Sequence, residues 1–375
     1  MADHDQTSSP GPDGSRLELA SRIPPPHWIF RQSIDPGIER AESPNSSDSG
    51  RSRVVDVVCC GMYRACSTWQ YEVAAHLVEH KTAGERVGYQ SGADYQTLTD
   101  GRQGRPMRSR VLKSHDAAPS LGRALTHGHA VGLYSYRDLR DVVFSLMHKR
   151  GLSFRGLVRQ GMIPRILAND RFWTRRPGVL VQRYEDLLAE PGAGVAAIAA
   201  HLGIELDPGE ADRIAAEYSR EANRSRARAL AHRLHEAGVD LRNAASIQIC
   251  DPGTLLHWNH LRESGDGSWR ALATPRQLAI LDRLCGRWLE THGYARVHAP
   301  ADATISLRER IEDAVDLALG QARFLMGDLS ARLPRLASVI KRLVRVKDAA
   351  GATAWSESPA GSGQRARNSS AVEHD

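Results

Sequence analysis

The stretch Val54-Val55-Asp56-Val57-Val58-Cys59-Cys60-Gly61-Met62-Tyr63-Arg64-Ala65-Cys66-Ser67-Thr68-Trp69-Gln70-Tyr71-Glu72 decides how this chain is read. Its β-branched start predicts a buried strand over 54–60, and Gly61 opens a turn. Beyond Ser67 the apolar residues Trp69, Val73, Ala74 and Leu77 recur at helical spacing, which predicts a helix over 67–80. A strand, a tight loop and a helix that begins with two hydroxyls make an anion site. The open N–H groups of the helix N-terminus, Ser67, Thr68 and the cation Arg64 would all face one phosphate.

A phosphate loop of the G-x-x-x-x-G-K-[ST] kind needs a second Gly for its wrap and a Lys for the terminal phosphates. Cys66 and Ser67 stand in those two places, so that reading fails. Hydroxyls at a helix start also serve as simple caps, and this segment alone leaves both roles open. A second buried strand, Val131–Tyr136, runs into Arg137-Asp138-Leu139-Arg140-Asp141-Val142-Val143-Phe144-Ser145. Arg137 would lie at the carboxyl end of the strand, where ligands of open α/β sheets collect, with Ser145 about two turns into the next helix. A rigid guanidinium fork beside a hydroxyl suits a terminal phosphate. A plain helix start, with Asp138 and Asp141 at the positive dipole end, is the alternative. Between these segments, Arg110–Ser114 reads as a short strand that ends in the basic pair Lys113 and His115.

Taken together, these segments resemble the sulfotransferases that use 3′-phosphoadenosine 5′-phosphosulfate (PAPS). The first is similar to the family's 5′-phosphosulfate loop, roughly Pro-Lys/Arg-Ser-Gly-Thr-Thr-Trp-x-x-Glu, with matches at Arg64, Ser67, Thr68, Trp69 and Glu72. Tyr63, Ala65 and Cys66 depart from it, and Cys66 replaces a Gly where a positive φ would be costly. Arg137 and Ser145 match the pair that holds the 3′-phosphate. Lys113 and His115 match a Lys-Thr-His segment whose His is the catalytic base and whose Lys lies near the transferring group. Leu261–Arg270 resembles a loop that folds over the nucleotide: Arg262, Gly267 and Trp269 keep its spacing, whereas Glu263 and Ser264 replace Lys and Gly. Tyr184-Glu185-Asp186-Leu187 matches a turn whose Tyr lies near the adenine.

The resemblance spans about residues 52–296 and implies a catalytic set of His115, Arg64 and Lys113. It implies a donor site of Arg64, Ala65, Cys66, Ser67, Thr68, Trp69, Arg137, Ser145, Tyr184, Arg262 and Gly267. Many family members carry Lys at the Arg64 position; Arg does not readily give up a proton, so its implied role here is electrostatic. No metal is implied. The expected acceptor is a hydroxyl or amine of a small molecule, glycan or lipid. A P-loop nucleotide kinase and a catalytically degenerate nucleotide-binding scaffold are the rival readings.

Strand patterns at 54–60, 110–114, 131–136 and 178–182 alternate with helical patterns near 67–80, 119–127 and 139–149. That alternation predicts an α/β fold, a P-loop-like three-layer sandwich with a central parallel β-sheet flanked by helices. Residues 153–175 and 208–236 read as polar-faced helices over the ligand edge, and 88–108 and 150–175 as acceptor loops. The sulfotransferase domain is expected over 51–298, between a disordered segment at 1–50 and a helical extension at 299–347. In that extension Ile311, Val315, Leu319, Leu329, Leu333, Leu336, Ile340 and Leu343 form an apolar stripe. Residues 332–347 are basic and amphipathic; packing on the domain or on a second subunit is the favoured role, peripheral membrane contact the other. A disordered tail is expected at 348–375.

The chain has 50 Lys and Arg against 44 Asp and Glu, a surplus that steers anions toward it. No run alternates basic with aromatic residues, so no nucleic-acid partner is expected. Five cysteines with two adjacent in a core strand argue for reduced thiols and, with no apolar run long enough to span a bilayer, for a cytoplasmic protein. Cys66, at the helix start, is the thiol with a reason to be oxidant-sensitive. Oligomeric state is left open.

Overall fold

A computed structural model describes residues 55–101, 108–243, 246–247, 249–259, 267–297 and 306–332. The expectations for 1–50, Arg262, 333–347 and 348–375 lie outside the described residues. Five strands form one sheet: β1 (Asp56–Gly61), β2 (Glu85–Tyr89), β3 (Arg110–Lys113), β4 (Ala130–Tyr136) and β5 (Val179–Arg183). They run in the order β2-β3-β1-β4-β5, every pair parallel. A parallel sheet is covered on both faces, so its central strand is apolar without alternation, and β1 is buried along its whole length.

The two faces have separate cores. Val57 and Cys59 of β1 point to one, filled by α1 (Ser67–Thr82), α8 (Pro191–Leu202) and α9 (Glu210–Glu217). Val58 and Cys60 point to the other, which holds residues of α3 (Pro119–Thr126), α4 (Leu139–Arg150), α5 (Phe154–Arg159), α6 (Met162–Thr174) and α12 (Pro275–Thr291). Three layers result, as the alternation of patterns implied. Shorter helices sit at the edges: α2 (Gly92–Asp100), α7 (Tyr184–Ala189), α10 (Arg220–Glu236) and α11 (Trp269–Leu272). At the amino-terminal end of β1, Asp56 takes a bidentate pair from Arg110 at 2.9 and 3.0 Å and a hydrogen bond from Tyr95 at 3.0 Å. This ties β1, β3 and α2 into register. β1 lies between β3 and β4, and the chain departs to one side after β1 and returns to the other. The crevice outside its carboxyl end is therefore the natural ligand position.

Three readings are corrected. Residues 88–108 are not simply a loop: the end of β2 is followed by α2, whose Ser91 and Asp94 form a reciprocal capping box. β2 itself escaped notice because it is a half-exposed edge strand with a register shift between Arg86 and Gly88. Residues 153–175 are two helices with an apolar face, since Phe154, Leu157, Ile163, Ile166 and Trp173 are buried in the core.

The last of the described helices, α13 (Leu307–Arg332), packs on α5 and α6, but not through its apolar stripe. Ile311, Val315 and Leu319 face solvent. The packed face carries Asp316, buried against Arg155 and Arg159, and Gly320, which meets the backbone around Gly161. Arg276 of α12 clamps Asp313 at 2.7 Å and Glu309 at 3.1 Å. Paired charges over about two turns of helix, from Glu309 to Asp316, thus override the apolar pattern. Among the described residues no helix is long and apolar enough to cross a membrane.

Candidate active site

The β1–α1 connection is built to come close to its neighbours. A Cβ on Gly61 would lie 2.5 Å from the Ser135 hydroxyl and 2.9 Å from its carbonyl oxygen, so only glycine fits. Met62 N–H then donates to Ser135 O at 2.8 Å, holding the loop against β4. Two non-glycine residues in it adopt the left-handed region: Arg64 at φ 66° and Cys66 at φ 69°. Cys66 is the N-cap of α1 and makes no side-chain cap, and the first turn contains no acidic residue. The dipole end of α1 is accordingly left for an external anion.

Side chains from three strand ends converge here. Arg64 Nε donates to Ser145 Oγ at 3.0 Å, joining the two sequence motifs directly. Lys113 Nζ, at the end of β3, donates to Thr68 Oγ1 at 2.5 Å. Burial pulls the Lys113 ammonium down to about 8. Arg137 follows β4: its guanidinium lies 4.3 Å over the Tyr184 ring and 3.5 Å from both the Arg64 carbonyl oxygen and the Asp141 carboxylate.

These groups open onto a cavity of about 350 Å³. Arg64, Cys66, Thr68, Trp69, Arg137, Ser145 and Tyr184 line it. Ala65 and Ser67 are buried and do not line it, and Lys113 is held by Thr68. Gly267 gives its N–H to Asp141 at 2.8 Å. Arg262 is outside the described residues.

Other wall residues were not named for the site, although Leu187 closes the Tyr184-Glu185-Asp186-Leu187 match. Tyr218, Ser219, Arg220 and Asn223 come from the start of α10, Leu187 and Leu188 from α7, and Leu256 from a turn stapled by the Cys250–His257 bridge. The polar character of 208–236 was the one signal for the α10 group. Asp141 was legible only as part of a motif, yet it is the hub of the rim: it accepts from Gly267 N, Ser268 Oγ at 3.2 Å and Trp269 N at 3.2 Å, and faces Arg137.

His115 lies beyond the loop, off the cavity wall. Its Nδ1 lies 3.1 Å from the Gly61 carbonyl oxygen. A carbonyl only accepts, so Nδ1 carries the hydrogen and Nε2 keeps its lone pair. The ring sits between Tyr63, at 5.0 Å, and Tyr89, at 6.3 Å, and Asn169 donates to its backbone oxygen at 2.7 Å. Burial, reinforced by Lys113, pulls the imidazole down to about 3, which keeps it neutral at physiological pH. Burial and nearby cations likewise bring His257 down to about 4. Among the described residues no cluster of three or more His, Cys, Asp or Glu is placed to hold a metal ion.

No family model and no curated protein matches this chain. Solved structures similar to it include mouse sulfotransferase SULT7A1 complexed with PAP, at 18% identity over 64% of this chain and 85% of that one, with a TM-score of 0.45. Retinol dehydratase in complex with androsterone and inactive cofactor PAP aligns at 17% identity over 64% of this chain and 82% of that one, TM-score 0.43. Retinol dehydratase in a complex with retinol and PAP gives 17%, 64%, 83% and 0.43 in the same order. The chemistry of the site follows from the residues already described.

Proposed function

We propose that this chain is a sulfotransferase that moves a sulfuryl group from PAPS to a hydroxyl or amine. The observation that carries the reading is the convergence of Arg64, Thr68 with Lys113, Arg137 and Ser145 on one cavity at the uncapped N-terminus of α1. That donor set suits a nucleotide with charge at two separate places. Arg64, Thr68 and the α1 backbone would hold the 5′-phosphosulfate; Arg137 and Ser145 would hold the 3′-phosphate. Trp69 and Tyr184 offer ring faces for the base. A phosphoryl-transferring kinase would want a lysine where Ser67 stands.

In the proposed reaction the acceptor oxygen or nitrogen attacks sulfur in line with the bridging oxygen of the donor. The new bond to sulfur forms as the S–O bond breaks, and the electron pair leaves with the 5′-phosphate as 3′,5′-bisphosphoadenosine. Nε2 of His115 takes the acceptor's proton. Arg64 and Lys113 neutralise charge on the departing oxygen, and positioning supplies the rest.

Calorimetric titration with 3′-phosphoadenosine 5′-phosphate (PAP), with ATP and adenosine 5′-phosphate as competitors, tests this reading. Micromolar binding that collapses without the 3′-phosphate is expected. Preference for ATP would replace the sulfotransferase by a kinase.

A further inference from the structure

Ten large apolar side chains stand exposed among the described residues, and six of them lie on α13: Leu307, Ile311, Val315, Leu319, Leu325 and Met326. Exposed Ala314, Ala318 and Ala322 fill the places between them. At 3.6 residues per turn these positions fall within one arc of roughly 140°, along about 30 Å of helix. Single exposed hydrophobes need no explanation, but a continuous stripe of this length marks a contact.

The opposite face of the helix is already covered. Asp316 pairs with Arg155 and Arg159, Gly320 meets the backbone of Val158 and Gly161, and Arg276 holds Glu309 and Asp313. Glu312 lies 3.5 Å from Arg276 and 3.8 Å from Arg155. Every acid between Leu307 and Gly327 is thus turned toward the arginines of the domain. The outward charge has one sign: from Ser306 to Gly327 the exposed charged residues are Arg308, Arg310 and Arg323. Arg310 borders one edge of the apolar arc, and Arg308 and Arg323 lie toward the other. Arg308 also reaches Glu312 at 3.2 Å, and Arg323 donates to the Arg159 carbonyl oxygen at 3.2 Å.

An occupant of this face must offer apolar depth and negative charge together. A second copy of α13 fails the second demand, because a symmetric pairing brings arginines to arginines with no exposed acid between them. An anionic bilayer meets both. Its acyl chains take the stripe while the arginines reach headgroup phosphates from the edges. The sequence beyond continues in the same sense, with six Lys and Arg and no Asp or Glu over 332–347. We propose that the outer face of α13 docks this protein on an anionic lipid bilayer, the helix lying in the plane of the interface.

Flotation of the full chain tests it, with vesicles of phosphatidylcholine alone and of equimolar phosphatidylcholine and phosphatidylglycerol. The protein should float with the anionic vesicles and stay behind with the neutral ones, and added salt should weaken the binding. The triple variant I311Q/V315Q/L319Q should lose about tenfold or more in vesicle affinity. Arg310→Glu should lose about fivefold or more. All four side chains are exposed, so circular dichroism and thermal unfolding of both variants should match the wild type. Equal binding to the two vesicle types overturns the inference, as does failure to bind either. Anionic binding that either variant retains in full places the contact elsewhere on the chain and overturns it too. A wild-type dimer in sedimentation velocity that the triple variant dissolves would give the face to a second copy instead. Should the triple variant not fold, Arg310→Glu alone decides.

Discussion

Two strand-to-helix connections stand side by side at the carboxyl edge of the sheet, and they are made in opposite ways. The β1–α1 connection is strained and open: Arg64 and Cys66 have positive φ, and α1 has no side-chain cap. The β4–α4 connection is relaxed and closed. Asp138 caps α4 by accepting from Arg140 N at 3.0 Å and also holds the Arg140 guanidinium at 2.7 and 2.9 Å. Arg140 in turn lies 4.0 Å over Trp269 and donates to Ala295 O at 2.9 Å. One connection leaves its backbone donors for a ligand. The other spends them internally and offers side chains, Arg137 and Ser145, on a rigid frame. On the proposed reading, binding and stability are thereby divided between neighbouring loops.

The largest expected effect tests the open side. His115→Ala should lower turnover with a responsive acceptor by about 10²- to 10⁴-fold. PAP affinity measured by calorimetry should be unchanged, because His115 is off the donor wall. Unchanged turnover would remove His115 from the role of base. The imidazole is depressed well below its ordinary 6.5, so kcat/KM for the acceptor should show no acid limb near that value.

The closed side predicts a loss of folding, with chemistry spared at temperatures where the protein stays folded. Asp138→Ala removes the cap and leaves Arg140, 3% exposed, with no carboxylate beside it. Denaturant unfolding should show a loss of about 3–5 kcal/mol. Adding Arg140→Met should return much of it, since the cost lies in the stranded charge. If Asp138→Ala instead weakened PAP binding at full stability, the division between the two connections would be wrong.

How much of this was legible follows the same contrast. The open connection is one contiguous run of residues, so its strand, turn, helix start and cation could be read in order. The conformational cost at Cys66 was legible as well, because a Cys stood where a positive φ was expected, and φ there is 69°. His115 and Lys113 were readable through a short strand. The α10 wall was not, since Tyr218, Ser219 and Asn223 reach the cavity only through tertiary packing. The apolar stripe of α13 misled, because salt bridges from Arg155, Arg159 and Arg276 set which face is covered.

A smaller effect concerns the protonation of Lys113. Burial lowers the Lys113 ammonium from its ordinary 10.5 to about 8. The folded state therefore sheds this proton before the unfolded chain does. Stability of the ligand-free protein should rise as pH climbs through about 8 and level off past the unfolded value. A bound phosphosulfate or phosphate favours the charged lysine, so PAP binding near pH 8 should take up a fraction of a proton. Calorimetry in two buffers of different ionisation enthalpy measures it. Lys113→Met should remove most of the uptake.

The smallest effect asks whether strain at the open connection is stored energy or a costless choice. A left-handed backbone costs an L-residue about 1–2 kcal/mol, and glycine escapes that cost but loses about 0.5–1 kcal/mol through its looser unfolded chain. Cys66→Gly should therefore stabilise the protein by about 0–1.5 kcal/mol in denaturant unfolding. PAP affinity should hold, because Cys66 contributes its backbone, and no side-chain cap, to the start of α1. A control at Asp138, where φ is −45°, should behave oppositely: Asp138→Gly relieves nothing and strands Arg140. If Cys66→Gly raised stability but weakened PAP binding, the cost at Cys66 would be holding the loop open for its anion. If it destabilised the protein, packing of the Cys66 thiol would outweigh the backbone, and the β1–α1 loop would be held by its side chains as the β4–α4 turn is.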